Sequence, residues 1–172
     1  MRWDQMQDEN CSVARTLSVI GDRWTMLILR DAFLSIRKFE DFQKDLSISR
    51  QRLSERLKKL VDEGVLKKTA YQSGPARFEY RLTAKGLDLY PVIMAMVNWG
   101  DKYLDKGRGA PMLYKHAKCD HYFTAQLSCS ECGEVLSPRD VRPEIGPGKA
   151  NVRLPVDRID GRVYPVTAKS DR

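Results

Sequence analysis

One stretch of the chain, residues 49–82, constrains its fold more than any other, because a capped basic helix runs there without a linker into a hairpin. Ser49 has a side-chain oxygen that can accept from the orphan N–H groups of a first helical turn. Behind it Leu53, Leu57 and Leu60 recur at helical spacing, and Gly64 is a good residue to end a helix. A helix is therefore predicted over 49–63, with Arg50, Gln51, Ser54 and Lys58 on faces other than the leucine stripe. Residues 65–71 then read as a strand, and Gln72-Ser73-Gly74-Pro75 has turn chemistry. In 77–82, Phe78, Tyr80 and Leu82 alternate with Arg77, Glu79 and Arg81, the mark of a second strand.

The flanking segments supply more helices. Val13, Leu17 and Ile20, then Trp24, Leu27, Ile28 and Phe33, predict two helices at about 12–20 and 23–34. Gly21-Asp22 interrupts them, and Asp22 can cap the second. Phe39, Phe42 and Leu46 repeat at i, i+3, i+7, so 39–46 reads as a short helix broken by Ser47-Ile48-Ser49. Thr83 caps a long helix over about 84–104, with Pro91 kinking it or shifting its start. That helix is apolar nearly all round (Leu87, Tyr90, Ile93, Met94, Met96, Val97, Trp99), which implies a second burial surface, most simply a partner subunit. Residues 1–10 are polar and read as frayed, or helical only in a dimer.

Charge is distributed unevenly. The 172 residues carry a net +7. From Arg37 to Lys85 there are 13 Lys/Arg against 7 Asp/Glu, a local balance of +6, so the rest of the chain is nearly neutral. A regional excess of this kind is what an anionic polymer partner requires. No run of 18 apolar residues is present and the first thirty residues are charged throughout, so the expectation is a cytoplasmic protein without membrane contact. Two histidines leave little material for acid–base chemistry, and no nucleophile set or phosphate loop is identifiable; an enzyme is not expected.

The element order is that of a winged helix-turn-helix: mainly α with a β-hairpin wing. A helix fits the major groove of DNA, and its first turn meets base edges. Arg50 and Gln51 have the forks that read guanine and adenine, and Ser49 and Ser54 can donate to base or phosphate. Arg52, Arg56, Lys58 and Lys59 can reach flanking phosphates, Arg37 and Lys38 precede the short helix, and Arg77 lies beside the wing tip. The stretch from Cys11 to Leu104 resembles the HxlR-type regulators, relatives of the MarR group. The resemblance is carried by Cys11, Val13-Ala14-Arg15, Gly21-Asp22-Arg23-Trp24, Leu27-Ile28-Leu29-Arg30, Arg37-Lys38-Phe39 and Ile48-Ser49. It continues through Leu53, Arg56-Leu57, Leu60, Gly64-Val65, Glu79-Tyr80-Arg81-Leu82-Thr83, Gly86 and Trp99. Ser35 stands where that family has a glycine. The resemblance implies a homodimer, through the N-terminal helices and helix 84–104, on a two-fold operator in double-stranded DNA. It also implies Cys11 as a candidate redox sensor, with a small-molecule or thiol-reactive effector. The other reading of Cys11 is a small buried hydrophobe near the dimer interface.

After the winged-helix domain (1–106) comes a Gly- and Pro-bearing linker (107–115), and then a change of composition at 116–172. His116 and Cys119, and Cys129 and Cys132, are two pairs with two residues between members, the spacing of a small β-rich zinc-ribbon-like module. His121 is the alternative fourth ligand. A structural zinc, a dithiol–disulfide switch and an inert hairpin are the three readings of this cluster. The role of residues 143–172 is not legible. An alternative function is a module of the transcription machinery, pairing winged helix and zinc ribbon without sequence preference.

Overall fold

The computed structural model describes residues 10–72 and 77–142, together with Gln7 and Pro147. Helix α1 spans Ser12–Ile20, α2 Arg23–Phe33, α3 Phe39–Leu46 and α4 Arg50–Asp62. Strands β1 (Leu66–Gln72) and β2 (Arg77–Leu82) form an antiparallel hairpin, with Leu66 opposite Leu82 and Lys68 opposite Tyr80. Then come α5 (Ala84–Leu87), α6 (Tyr90–Tyr103) and the two-residue strands β3 (Lys115–His116) and β4 (His121–Tyr122), which pair antiparallel. The first ten residues apart from Gln7 and Asn10, the wing turn at 73–76 and, apart from Pro147, the tail from 143 lie outside the described residues.

The predicted caps form. Asp22 Oδ1 accepts from the N–H groups of Trp24 (3.1 Å) and Thr25 (3.2 Å), and Ser49 Oγ from that of Arg52 (3.4 Å). Gly64, at φ +68°, ends α4, a conformation that costs glycine little. Between α3 and α4, Ser47 adopts the left-handed conformation (φ 48°) and stops α3. The helix expected over 84–104 is two helices. Thr83 caps the first through Gly86 N–H (3.1 Å), and α6 begins anew at Tyr90 with Pro91 in its first turn. Proline lacks an N–H, and the first turn is where that donor has no helical partner anyway.

The core is organised by α4. Leu53, Leu57 and Leu60 are fully buried with Ile28 and Leu29 of α2 and Phe42 of α3, and Val65, Leu66 and Ile93 join them. The segment between α2 and α3 is pinned to the hairpin: Tyr80 N–H donates to Arg37 O (2.8 Å), and Lys38 bridges Glu79. Helix α6 buries Ile93 and Met94 and exposes Met96, Trp99 and Tyr103 on its outer side, each more than half open. The unpartnered apolar face expected on this helix is therefore present. Among the described residues no helix is long and apolar enough to cross a membrane.

The chain divides into two compact units, Met1–Ala125 and Gln126–Arg172. The division falls inside the segment read from its Cys and His residues as one module. Asn98 of α6 donates to Ala125 O (2.7 Å), which ties the chain as far as residue 125 to the first unit. In the second unit Leu136 N–H donates to Leu127 O (2.8 Å), and Ser128 bridges Val135.

Among the described glycines, Gly86 marks the tightest approach. A Cβ there would lie 2.2 Å from Val65 O, a backbone atom at the foot of the hairpin. Gly86→Ala is therefore expected to lower stability by about 1–3 kcal/mol, read as a fall in the urea midpoint at unchanged m-value.

Candidate nucleic-acid interface

Helix α4 has two chemically distinct sides. Its leucines face the core, while Arg50, Gln51, Arg52, Ser54, Glu55 and Lys58 are exposed. Gln51 Nε2 donates to Glu55 Oε1 (3.0 Å) and Lys58 pairs with Asp62, both one turn along the same helix. Exposed pairs of this kind are worth only a few tenths of a kcal/mol, roughly 0.3–0.5, so they hold the side chains loosely.

Two of the cations nominated on α4 turn inward instead. Arg56 Nε lies 2.9 Å from Asp22 Oδ1, the oxygen that caps α2. Lys59 donates to Ser18 O of α1. These residues orient α4 on α1 and α2 and leave the outward charge to their neighbours. Partial burial pushes the Asp22 carboxyl up. The hydrogen bond from Arg56, those from the N–H groups of Thr25 and Trp24, and the Arg56 charge outweigh this and leave it below its ordinary value. A second cluster joins α2 to α3: Arg30 reaches Asp31 (2.6 Å) and Asp45 (2.9 Å). Asp31 is fully buried and its Oδ2 has no partner among the described residues. Burial pushes its carboxyl up, against the pull of Arg30.

A cleft of about 210 Å³ opens between the first turn of α4, the start of α3 and the hairpin. Arg50, Lys68 and Arg77 converge on it. The Arg50 guanidinium sits 4.9 Å from the Phe39 ring centroid, and Lys68 Nζ 4.0 Å from that of Phe78. Each cation is steadied by an aromatic face, which attracts it through the ring quadrupole. Lys68 was not singled out in the sequence; the hairpin register, which sets it opposite Tyr80, and its contact with the Phe78 ring are revealed only by the fold. Arg37 and Lys38 are both exposed beside the hairpin, their backbone fixed to β2 by the β-bridge between Lys38 and Glu79.

The two Cys/His pairs adopt the same turn. Asp120 N–H donates to His116 O (2.8 Å) and Gly133 N–H to Cys129 O (2.9 Å), and residues 120 and 133 both have positive φ, 59° and 77°. His116 Nδ1 lies 3.2 Å from Cys119 Sγ. The backbone N–H groups of Cys132 and Glu131, with the Cys132 thiol, hold the Cys129 thiol below its ordinary value. His116 and Cys119 belong to the first compact unit, Cys129 and Cys132 to the second. Among the described residues no group of three or more His, Cys, Asp or Glu side chains is gathered closely enough to hold a metal. His121 lies in β4, paired with His116 in the strand register. Cys11 is exposed at the N-cap position of α1.

Residues 19–108 match the model of the HxlR-like helix-turn-helix family. The uncharacterized HTH-type transcriptional regulator Rv3095 of Mycobacterium tuberculosis is 44% identical over 140 residues, 81% of this chain and 89% of its own length. YdeP of Bacillus subtilis, another HTH-type regulator, is 35% identical over 99 residues, 57% of this chain and 77% of its own. Among solved structures, PA1607, a candidate transcription factor, superposes with a TM-score of 0.73 at 35% identity, over 81% of this chain and 98% of its own. The redox regulator HypR in its reduced form gives 0.52 at 28% identity, over 56% and 96%. An alignment of 140 residues is longer than the winged-helix segment, so the likeness to Rv3095 extends beyond that segment.

The two carboxylates of α2 predict opposite pH signatures. Asp22 titrates below 3.8 in the folded chain, so the stability it adds is complete above that pH and drains as pH falls. The gap in urea midpoint between the native chain and Asp22→Asn should shrink as pH drops below 3.8. Asp31 titrates above 3.8, so its contribution is complete below that pH and is lost as pH rises. Against Asp31→Asn, the native chain should lose stability as pH climbs from 3.8.

Proposed function

The chain belongs to the HxlR-like helix-turn-helix family of transcriptional regulators, and on that premise we propose that it acts as a homodimer on a two-fold DNA operator. The observation that carries the reading is the division of α4. A fully buried leucine stripe backs an exposed first turn of Arg50, Gln51, Arg52 and Ser54, flanked by the cationic cleft of the hairpin. In this reading Arg50 and Gln51 enter the major groove as base readers, and Ser49 and Ser54 donate to base or phosphate. Arg37, Lys38, Arg52 and Lys58 take phosphates, and Lys68 and Arg77 of the wing lie on the flanking backbone. Lys58 gives up its weak pairing with Asp62 to do so.

The exposed side chains of α6 and those of α1, Val13 and Leu17, support a dimer formed through these helices. Two protomers would then present two regions of +6, and binding would weaken steeply with salt as phosphates release counterions. Control of the operator by thiol chemistry is assigned to Cys11. Its exposure supports this, as does the likeness in fold to a redox regulator. A thiol modification that favours another spacing of the two α4 helices would lower operator affinity by population shift.

A structural zinc on His116, Cys119, Cys129 and Cys132 belongs to the same proposal. The two turns with matching hydrogen bonds, and thiol-directed N–H groups at Cys129, are the chemistry a thiolate-bound cation needs. The metal would supply a fixed cross-link and no reactivity, since four protein ligands leave no open position.

Selection of bound DNA from a random pool should return a two-fold motif; uniform recovery of all sequences would instead favour the non-specific transcription module. Arg50→Ala should cost about 1–3 kcal/mol on the selected site and relax one base position. Lys58→Ala should weaken all DNA alike and reduce the salt slope by about one. Equal losses on selected and random DNA for both variants would sink the assignment of roles. Repeating the selection with a thiol oxidant should abolish recovery for the native chain and spare Cys11→Ser. Metal analysis of the purified chain should give zinc that Cys132→Ala loses.

A further inference from the structure

A second cleft, of about 370 Å³, lies on the other side of the hairpin from α4's first turn, where the end of α2 meets the two strands. Phe33, Leu82 and Leu87 give it apolar lining, and Arg37, Lys67 and Arg81 give it charged lining. No acidic side chain lines it. Arg81 is paired with Glu79 (2.7 Å), but Arg37 and Lys67 have no side-chain hydrogen bond or ion pair among the described residues. Lys67 stands directly opposite Arg81 in the hairpin register. Cross-strand partners point to the same face, and like charges so placed repel. The cleft thus sets two unneutralised cations, Arg37 and Lys67, beside apolar side chains in a concavity of ligand size.

The comparable groove beside α1 shows that this is not a general property of the surface. That groove, about 400 Å³, also has two cations at its edge. There Lys85 donates to Glu63 O (2.6 Å) and Arg15 to Ser12 Oγ (3.2 Å), so both are engaged within the fold.

We propose that the cleft between α2 and the hairpin binds a small organic carboxylate with an aromatic or branched apolar body. Arg37 offers a planar fork to the two carboxylate oxygens and Lys67 a point charge. The body rests on Phe33, Leu82 and Leu87. A carboxylate held by both Arg37 and Lys67 ties the segment after α2 to the hairpin, so binding stabilises the fold. Arg37 is also assigned to a DNA phosphate, and this second step rests on the operator reading: the bound anion withdraws Arg37 and Lys67 from DNA and lowers affinity.

Calorimetry on the full chain without DNA tests the site, using naphthoate, its neutral isostere naphthamide, and inorganic phosphate at matched ionic strength. Naphthoate is expected to bind and to raise the melting temperature, with naphthamide about tenfold weaker or more and phosphate without measurable heat. Lys67→Gln should weaken naphthoate about tenfold while Lys67→Arg retains it. The site is overturned if naphthoate does not bind, if naphthamide binds as well, if phosphate binds as tightly, or if Lys67→Gln leaves the affinity unchanged. Saturating naphthoate should then lower DNA affinity about tenfold; unchanged affinity overturns the coupling. Lys67-dependent naphthoate binding by a chain that binds no DNA would refute the operator reading and leave the site standing.

Discussion

The carboxylate of Asp22 is the joint on which the seating of α4 against α2 depends. One oxygen terminates α2 by accepting two backbone N–H groups, and the same oxygen receives Arg56 from α4. Hydrophobic burial of Leu53, Leu57 and Leu60 holds α4 against the core and turns the stripe inward, but burial is non-directional and fixes the rotation only to the width of that stripe. A hydrogen-bonded ion pair to a fixed cap is directional. With Lys59 anchored on Ser18 O, it sets which residues of α4 point outward.

This divides the basic region into two kinds of charge. Arg56 and Lys59 are spent on holding helices together, as is Arg30 just before the region. Arg50, Arg52, Lys67, Lys68 and Arg77 remain outward-facing or at cleft rims. The net balance of the window therefore understates the contrast between its surfaces. Within the window Asp45, Asp62 and Glu79 are engaged by Arg30, Lys58 and Arg81, while Arg37 and Lys67 line a cleft with no acidic side chain.

Helix existence and capping were legible because they depend on local period and on one side chain at each end. α1 to α4 fall where the spacing of Val13, Ile28, Phe42 and Leu53 put them, and both strands where the turn residues and the alternation of Phe78, Tyr80 and Leu82 did. The break between α5 and α6 was less legible, since the apolar pattern runs straight through it and Pro91 is compatible with a kink or a new start. Residue type announced that Arg56 was long and positive, but not that Asp22, 34 residues away, would claim it. The same holds for Lys68: its value depends on Phe78, which only strand pairing brings beside it. In the Cys/His segment, spacing announced two turns, and both form, yet the boundary between compact units falls between them.

The stacking of Arg50 on Phe39 and of Lys68 on Phe78 has a further consequence for timing. A long cationic side chain that is free before binding must surrender rotamer entropy when it is fixed, at about 0.5–1.5 kcal/mol each. Rings that already confine these two side chains have met part of that cost before any encounter. Under the proposed operator reading, the benefit would fall on the first contact, when a passing duplex meets charges already pointing outward. A surface prepared in this way would sample many sites quickly and leave discrimination to the slower step, departure from the wrong ones.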